Sequence, residues 1–216
     1  MLYAIVPVKS LPFAKGRLAQ ILTTPERRAL VLAMLDDVLA ALRATTALRG
    51  TIVVSHDAEV LALAARLGAS ALLERADDLN GAFAQAATFA EQSGATGVLA
   101  LPADLPLITP AETAGLIATG VESGGIALAP SRDGGTNGLY RPAGVALPFL
   151  FGVGSLARHM AAAHERGLAT RLFHAPGLEL DIDQPDDVLR LAEAPGETAA
   201  QQLARELCVD ARLACV

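Results

Sequence analysis

The residues with the clearest chemistry in this chain are three carboxylates. Asp181-Ile182-Asp183 spaces two of them two residues apart, which in extended backbone turns both side chains to one side. Asp104 follows the apolar run Val98-Leu99-Ala100-Leu101, where a carboxylate would leave a sheet at a strand's carboxyl edge. Hard divalent cations want anionic oxygens, and Mg²⁺ takes one or two carboxylates together with phosphates and water. A metal site on Asp104, Asp181 and Asp183 is therefore expected. The competing reading makes Asp183 a cap for the helix opening at Pro185, with Asp181 a solvated neighbour.

Cations and glycines supply the complementary chemistry. Lys9, Lys15 and Arg17 lie just beyond the first apolar run, and could bind phosphate oxygens, the lysines as point charges and the arginine as a fork. A solvated basic loop is the alternative. Ser131-Arg132-Asp133-Gly134-Gly135-Thr136-Asn137-Gly138 packs three glycines, a hydroxyl and an amide between two apolar runs. It reads equally as a hairpin connection and as a loop where a ligand approaches bare backbone, with Thr136 and Asn137 offering hydrogen bonds. Phe151-Gly152-Val153-Gly154-Ser155 precedes a helix, so backbone amides and a hydroxyl sit at a helix start, a natural anion site. Asn80 could cap another helix from its positive end. His159 lies one turn beyond Ser155; an exposed helix histidine is the favoured reading, a place in the same pocket the other. The remaining histidines are scattered without metal spacing. Neither a Walker loop nor a Gly-x-Gly-x-x-Gly follows the first strand, and no Gly-x-Ser-x-Gly elbow is present.

The elements that must position these groups alternate. Leu2–Val8 is continuously apolar, as in a strand covered on both faces. Thr24, read as an N-cap before Pro25, opens a helix with the stripe Leu30, Met34, Leu35, Val38 and Leu42. Strands are expected at 51–55, 69–73, 98–101, 125–130 and 168–173, with helices at 58–67, from 79, from 109 through 117, from 155 through 166, and from 185 to near 194. Alternating units mean a mostly parallel sheet, and ligands of such sheets bind outside the strands' carboxyl ends. Phe83, Phe89, Phe149 and Phe151 are expected to fill the core or line a pocket wall. Pro195 and Gly196 break the chain before a terminal amphipathic helix over 197–207.

Composition sets bounds. At 216 residues and 52% hydrophobic content, one substantial core can form. No apolar run reaches the length of a membrane span, and the start lacks a signal-peptide pattern, so a cytoplasmic protein is expected. The net charge of −6, without a basic patch, argues against a nucleic acid polymer as partner but not against a nucleotide. Cys208 and Cys215 lie at the chain end with no companion ligands, and read as surface or end-packed thiols.

Taken in order, these motifs resemble the CofC/FbiD family of guanylyltransferases of coenzyme F-420 biosynthesis. The resemblance rests on Pro7-Val8-Lys9, Ala14-Lys15-Gly16-Arg17-Leu18, Leu79-Asn80, Pro102-Ala103-Asp104-Leu105-Pro106, Pro130 to Asn137, Phe151 to Ser155, and Asp181 to Asp187. Departures are Gly16 where serine is frequent, Gln184 where threonine is frequent, and a tail after Pro195. The resemblance implies an α/β fold: a single domain with a mixed, mostly parallel sheet flanked by helices, similar to glycosyltransferase A and MobA proteins. It assigns residues 1–195 to a nucleotidyltransferase domain and leaves 196–216 as a helical tail.

The activity implied joins GTP to a phosphorylated three-carbon acid (2-phospho-L-lactate, phosphoenolpyruvate or 3-phospho-D-glycerate) with release of pyrophosphate. The resemblance further implies Mg²⁺ on Asp104, Asp181 and Asp183, and acceptor contacts from Thr136, Asn137, Gly152 and Ser155. Pro7, Val8, Lys9 and Asn80 would bind the nucleotide, and Lys15 and Arg17 would serve its triphosphate, with Lys15, Arg17 and Asp104 as the catalytic set. A homodimer and hand-over of product to a downstream transferase are compatible with it. A glycosyltransferase using Asp181-Ile182-Asp183 as its Asp-x-Asp is the near alternative, and a non-catalytic nucleotide-binding protein the distant one.

Overall fold

The apolar amino-terminal run forms strand β1 (Leu2–Pro7), whose alternate side chains enter two different cores. Ala4 and Val6 face one layer of helices and Ile5 the other, which is why the run has no polar alternation. The computed structural model describes residues 1–213. Helix α1 (Thr24–Ala44) carries its buried stripe across β1 and β2 (Leu48–Ser55). Its cap is Thr23, one residue before the expected Thr24. Thr23 and Glu26 form a reciprocal capping box, a spacing already written in the sequence.

Helix α2 (Ala58–Arg66), strand β3 (Ser70–Leu73), helix α3 (Leu79–Gln92) and strand β4 (Gly97–Ala100) continue the alternation. Then follow α4 (Pro110–Ser123), β5 (Ile126–Pro130), β6 (Thr136–Pro142), α5 (Ser155–Glu165) and β7 (Thr170–Leu172). A short α6 (Pro176–Glu179) precedes α7 (Pro185–Glu193). The seven strands are ordered β3-β2-β1-β4-β6-β5-β7, and only β6 runs antiparallel to its neighbours. The hairpin β5–β6 thus folds back so that β6 separates β4 from β5. Thr136 and Asn137 belong to β6, and the connection is confined to 131–135, closed by the Ser131 N–H donating to the Gly135 carbonyl at 3.1 Å.

Helices α1, α2, α4 and α7 cover one face of the sheet, and α3 and α5 the other. On the second face Phe83, Phe149 and Phe151 stack, with centroids 4.2 Å apart for Phe83 and Phe151. Phe89, expected to fill the core or line a pocket wall, is exposed on the outer side of α3, where it lines a shallow groove with Leu72, Leu73 and Gln85. The chain end forms two helices, α8 (Ala199–Glu206) and α9 (Val209–Leu213). Asp37 of α1 caps α8 by accepting from the Ala199 and Ala200 N–H groups, both at 2.8 Å, and Arg212 grips Glu26 with two hydrogen bonds. Cys208 is exposed, and Cys215 lies outside the described residues. No described helix is long and apolar enough to cross a membrane.

Candidate active site

The loop after β1 runs through two short 3₁₀ turns, Leu11–Phe13 and Gly16–Gln20, with Lys15 between them. Lys15 adopts a left-handed conformation, φ 52°, which costs a non-glycine residue about 1 kcal/mol or more and concentrates at functional positions. The bend sends its side chain inward. The ammonium contacts Asp104 Oδ2 directly and donates to Asp183 Oδ1 at 2.6 Å. Burial alone would lower the Lys15 pKa, but the Asp104 and Asp183 carboxylates outweigh it and raise the pKa above its ordinary value. Arg17 stands outside this pair, 3.5 Å from Asp183 Oδ2.

The two acidic segments meet beyond the end of β4, where the Ile182 N–H donates to the Asp104 carbonyl at 3.1 Å. Asp181 points to the far side of the site and accepts from Asn137 Nδ2 at 3.1 Å. Burial pushes the Asp181 carboxyl up; the Asn137 hydrogen bond opposes this, while the nearby Asp104 and Asp183 charges add to it. Among the described residues no three His, Cys, Asp or Glu side chains form a metal-holding group. Lys15 occupies the space between Asp104 and Asp183.

A cleft of about 380 Å³ opens beside this cluster. It brings together Pro7, Val8, Lys9, Lys15, Arg17, Asp104 and Asp183 from four separate segments, with Phe13 and Leu79 on its walls. Asn80 does not line it. The N-cap of α3 is Asp78, which accepts from the Gly81 N–H at 2.7 Å, and Asn80 instead clasps the Phe151 backbone. Its Oδ1 accepts from the Phe151 N–H at 2.8 Å and its Nδ2 donates to the Phe151 carbonyl at 3.3 Å. Asp183 likewise is no cap: the carboxylate at the start of α7 is Asp187, which accepts from the Gln184 and Asp183 N–H groups.

The second group of expected residues gathers on the other side of Asp181. Thr136 and Asn137 are buried on β6, and Ser155, the first residue of α5, is 1% exposed with its hydroxyl unpartnered. Gly135 admits this approach: a Cβ there would lie 2.6 Å from Ser131 Oγ and 3.6 Å from Ser155 Oγ. Gly152 is exposed in the loop before α5, in positive φ. His159, favoured as exposed in the sequence, is wholly buried, 3.0 Å from Thr136 Oγ1 through Nδ1. Its four-residue spacing from Ser155 signalled a shared face; nothing in the sequence told which way that face turned. Asn137 to Asp181 is the bridge between the two groups.

A mostly parallel sheet with one reversed strand, with cations and carboxylates meeting beyond β1 and β4, is the fold that nucleotidyltransferases share. A nucleotidyl transferase from Methanothermobacter thermautotrophicus shares the fold, with TM-score 0.63 and 18% identity over 89% of this chain and 96% of that one. The chain belongs to the family described as "Guanylyl transferase CofC like", matched over residues 2–214. A phosphoenolpyruvate guanylyltransferase from Roseiflexus castenholzii is 45% identical over 95% of this chain and 94% of its own. A 3-phospho-D-glycerate guanylyltransferase from Phenylobacterium zucineum is 39% identical, covering 94% and 95%. A 2-phospho-L-lactate guanylyltransferase from M. thermautotrophicus is 35% identical, covering 94% and 90%.

Proposed function

We propose that this enzyme transfers GMP from GTP to a phosphorylated three-carbon acid, as its relatives' names describe for theirs. The acceptor phosphate oxygen attacks the α-phosphorus of GTP, the bond from that phosphorus to the β-bridging oxygen breaks, and pyrophosphate leaves. An ionised phosphate is already a nucleophile at neutral pH, so no general base is required. The protein's work is to hold two anions in line and offset their charge.

The observation that carries this reading is the division of the site. A cation-lined cleft around Lys9, Lys15 and Arg17 is separated from a buried cluster of neutral hydroxyls, Thr136 and Ser155, by the carboxylates Asp104, Asp181 and Asp183. The cleft suits a nucleoside triphosphate beside Pro7 and Val8. The neutral pocket suits the acceptor, because hydroxyl donors orient its phosphate without reducing its nucleophilicity. Asn137 orients Asp181 between them, and Asn80 acts on the acceptor side by fixing the Phe151 backbone ahead of Gly152.

The carboxylates fit a divalent cation. Asp104 Oδ1 is buried with no hydrogen-bond partner, and oxygen donors from Asp104 and Asp183 match the one or two that Mg²⁺ takes beside substrate phosphates and water. Asp104 and Asp183 would hold the metal, with Asp181 behind them. Mg²⁺ in that place supplies charge neutralisation to the triphosphate. Lys15 then binds the phosphate oxygens that approach the carboxylates. A cytoplasmic setting, a homodimer and hand-over of the product to a downstream transferase belong to the same proposal, on the strength of the family alone.

Phosphoenolpyruvate is the acceptor to test first, since the relative bearing its name matches at 45% against 39% and 35% for the other two acids. Purified enzyme is given GTP, MgCl₂ and the three acids in competition, with pyrophosphate release and product mass as readouts. A guanylylated acid is expected. Pyrophosphate released from none of the three, with turnover of a UDP-sugar in its place, would overturn the reading.

A further inference from the structure

The groups around His159 fix its proton. The Leu150 N–H donates to His159 Nε2 at 2.9 Å, so Nε2 is an acceptor and bears no hydrogen. The ring's one proton is then on Nδ1, 3.0 Å from Thr136 Oγ1. Nδ1–H donates there, the Thr136 hydroxyl accepts, and the threonine's own proton is left to point elsewhere. No other partner of that hydroxyl is found among the described residues, and the Ser155 hydroxyl, one turn before His159 on α5, has none at all. Two buried hydroxyls with uncommitted protons are costly in a finished core, and both protons are left free for an incoming acceptor atom.

Resting on the reading that Thr136 and Ser155 hold the acceptor, we propose that His159 is a positioning residue for that acceptor. By donating from Nδ1 it commits the Thr136 hydroxyl to act as a donor toward the anionic group of the phospho-acid. Through Nε2 it anchors Leu150, next to the Phe151 backbone that Asn80 clasps, and so steadies the loop carrying Gly152 to Gly154. Burial is the main influence keeping the ring neutral, with the Arg158 charge helping and the Ser155 carbonyl opposing; its pKa is lowered to about 4. A neutral imidazole keeps this single hydrogen arrangement across the physiological range.

The test compares His159→Gln, His159→Asn, Thr136→Val and the Thr136→Val/His159→Gln pair, with the acid consumed in the competition experiment as acceptor. Glutamine places its amide near Nε2 and abandons Thr136, whereas asparagine places an N–H near Nδ1. His159→Gln is expected to raise the acceptor KM about five- to tenfold, the scale of one ordinary neutral hydrogen bond, with the GTP KM within twofold. His159→Asn is expected to recover most of that loss, and the pair to be no worse than Thr136→Val alone. A raised acceptor KM in Thr136→Val with none in His159→Gln, or effects that multiply, overturns the His159 role and leaves the acceptor pocket standing. An unchanged acceptor KM in Thr136→Val removes the pocket reading and this inference with it. Should the histidine variants not fold, ¹⁵N-histidine NMR of the wild type at pH 7 decides. A neutral Nδ1–H tautomer for the buried ring is expected, and an Nε2–H tautomer or an imidazolium refutes the proposal.

Discussion

Replacing Lys15 by methionine keeps a side chain of similar length while deleting the charge that separates two carboxylates. The Lys15 side chain is 9% exposed, Asp104 22% and Asp183 41%. Two oxygens hydrogen-bonded to one ammonium nitrogen stand at most about 6 Å apart, so without it the carboxylates repel by about 3 kcal/mol at an effective dielectric of about 20. The partial exposure of Asp183 lets water screen about half of that. Loss of the charge-assisted hydrogen bonds adds to it, and removing one partner of a fully buried pair sets a ceiling of about 3–5 kcal/mol. An overall destabilisation of about 2–3 kcal/mol follows, or roughly 5–10 °C in Tm for a chain of this length. Calorimetry at neutral pH, first in EDTA and then in excess MgCl₂ without nucleotide, measures it. The variant is expected to melt low in EDTA and to recover with Mg²⁺, because a cation between Asp104 and Asp183 replaces the missing ammonium. The wild type, in which the Lys15 ammonium stands between the two carboxylates until substrate phosphates draw it away, should respond less than the variant when no nucleotide is present. A variant as stable as wild type, or one whose loss Mg²⁺ does not touch, would refute the reasoning.

Three further outcomes are expected. Asp104→Asn, which preserves shape and removes an anion facing the substrates, should lower GMP transfer by at least about a hundredfold with little change in far-UV circular dichroism; activity within tenfold of wild type would remove Asp104 from the catalytic set. Gly120→Ala should cost at least about 2 kcal/mol in urea unfolding, because the added Cβ would fall 2.1 Å from the Tyr140 ring; a change below 0.5 kcal/mol would show, on the scale of ordinary surface substitutions, that α4 and β6 slip apart easily. The buried His159, lowered from 6.5 to about 4, stabilises the fold fully above pH 6.5 and loses that contribution as pH falls toward 4, since only the unfolded chain takes up the proton. The loss is about 3 kcal/mol and should be absent from His159→Asn; parallel stability curves for the two proteins between pH 6.5 and 4 would contradict a neutral ring in the fold.

Burial is what separated the expectations that held from those that did not. The sequence placed Asp104 just beyond an apolar strand, because a strand covered on both faces is written as a continuous apolar run, and the structure puts it beyond β4; the Asp181/Asp183 pair follows the short helix α6 and lies in no strand. It placed the N-cap of α1 one residue late, although Thr23 and Glu26 already stood at capping-box spacing. Asn80 was expected to cap a helix and bind nucleotide; Asp78 caps it, and the Asn80 amide is turned onto Phe151. Short polar residues near a helix start compete for one role, and only the packing of the neighbouring loop decides among them. His159 was favoured as an exposed helix histidine, yet its Ser155/His159 edge lies against β6 and the aromatic cluster.

The amino-acid sequence by itself determined the alternating α/β class, the carboxylates and cations at the strand ends, and the family that their order spells. Local periodicity, turn chemistry and motif order are written along the chain, and those properties need nothing else. Tertiary structure alone decided that β6 inserts between β4 and β5, that Lys15 turns into a left-handed bend to stand between Asp104 and Asp183, and that His159 aims the Thr136 hydroxyl. The β4–β6 pairing, the Thr136–His159 contact, 23 positions apart, and the Lys15–Asp183 contact, 168 apart, are all long-range, and contacts at that separation depend on which faces the packed layers bury, a property no local window contains.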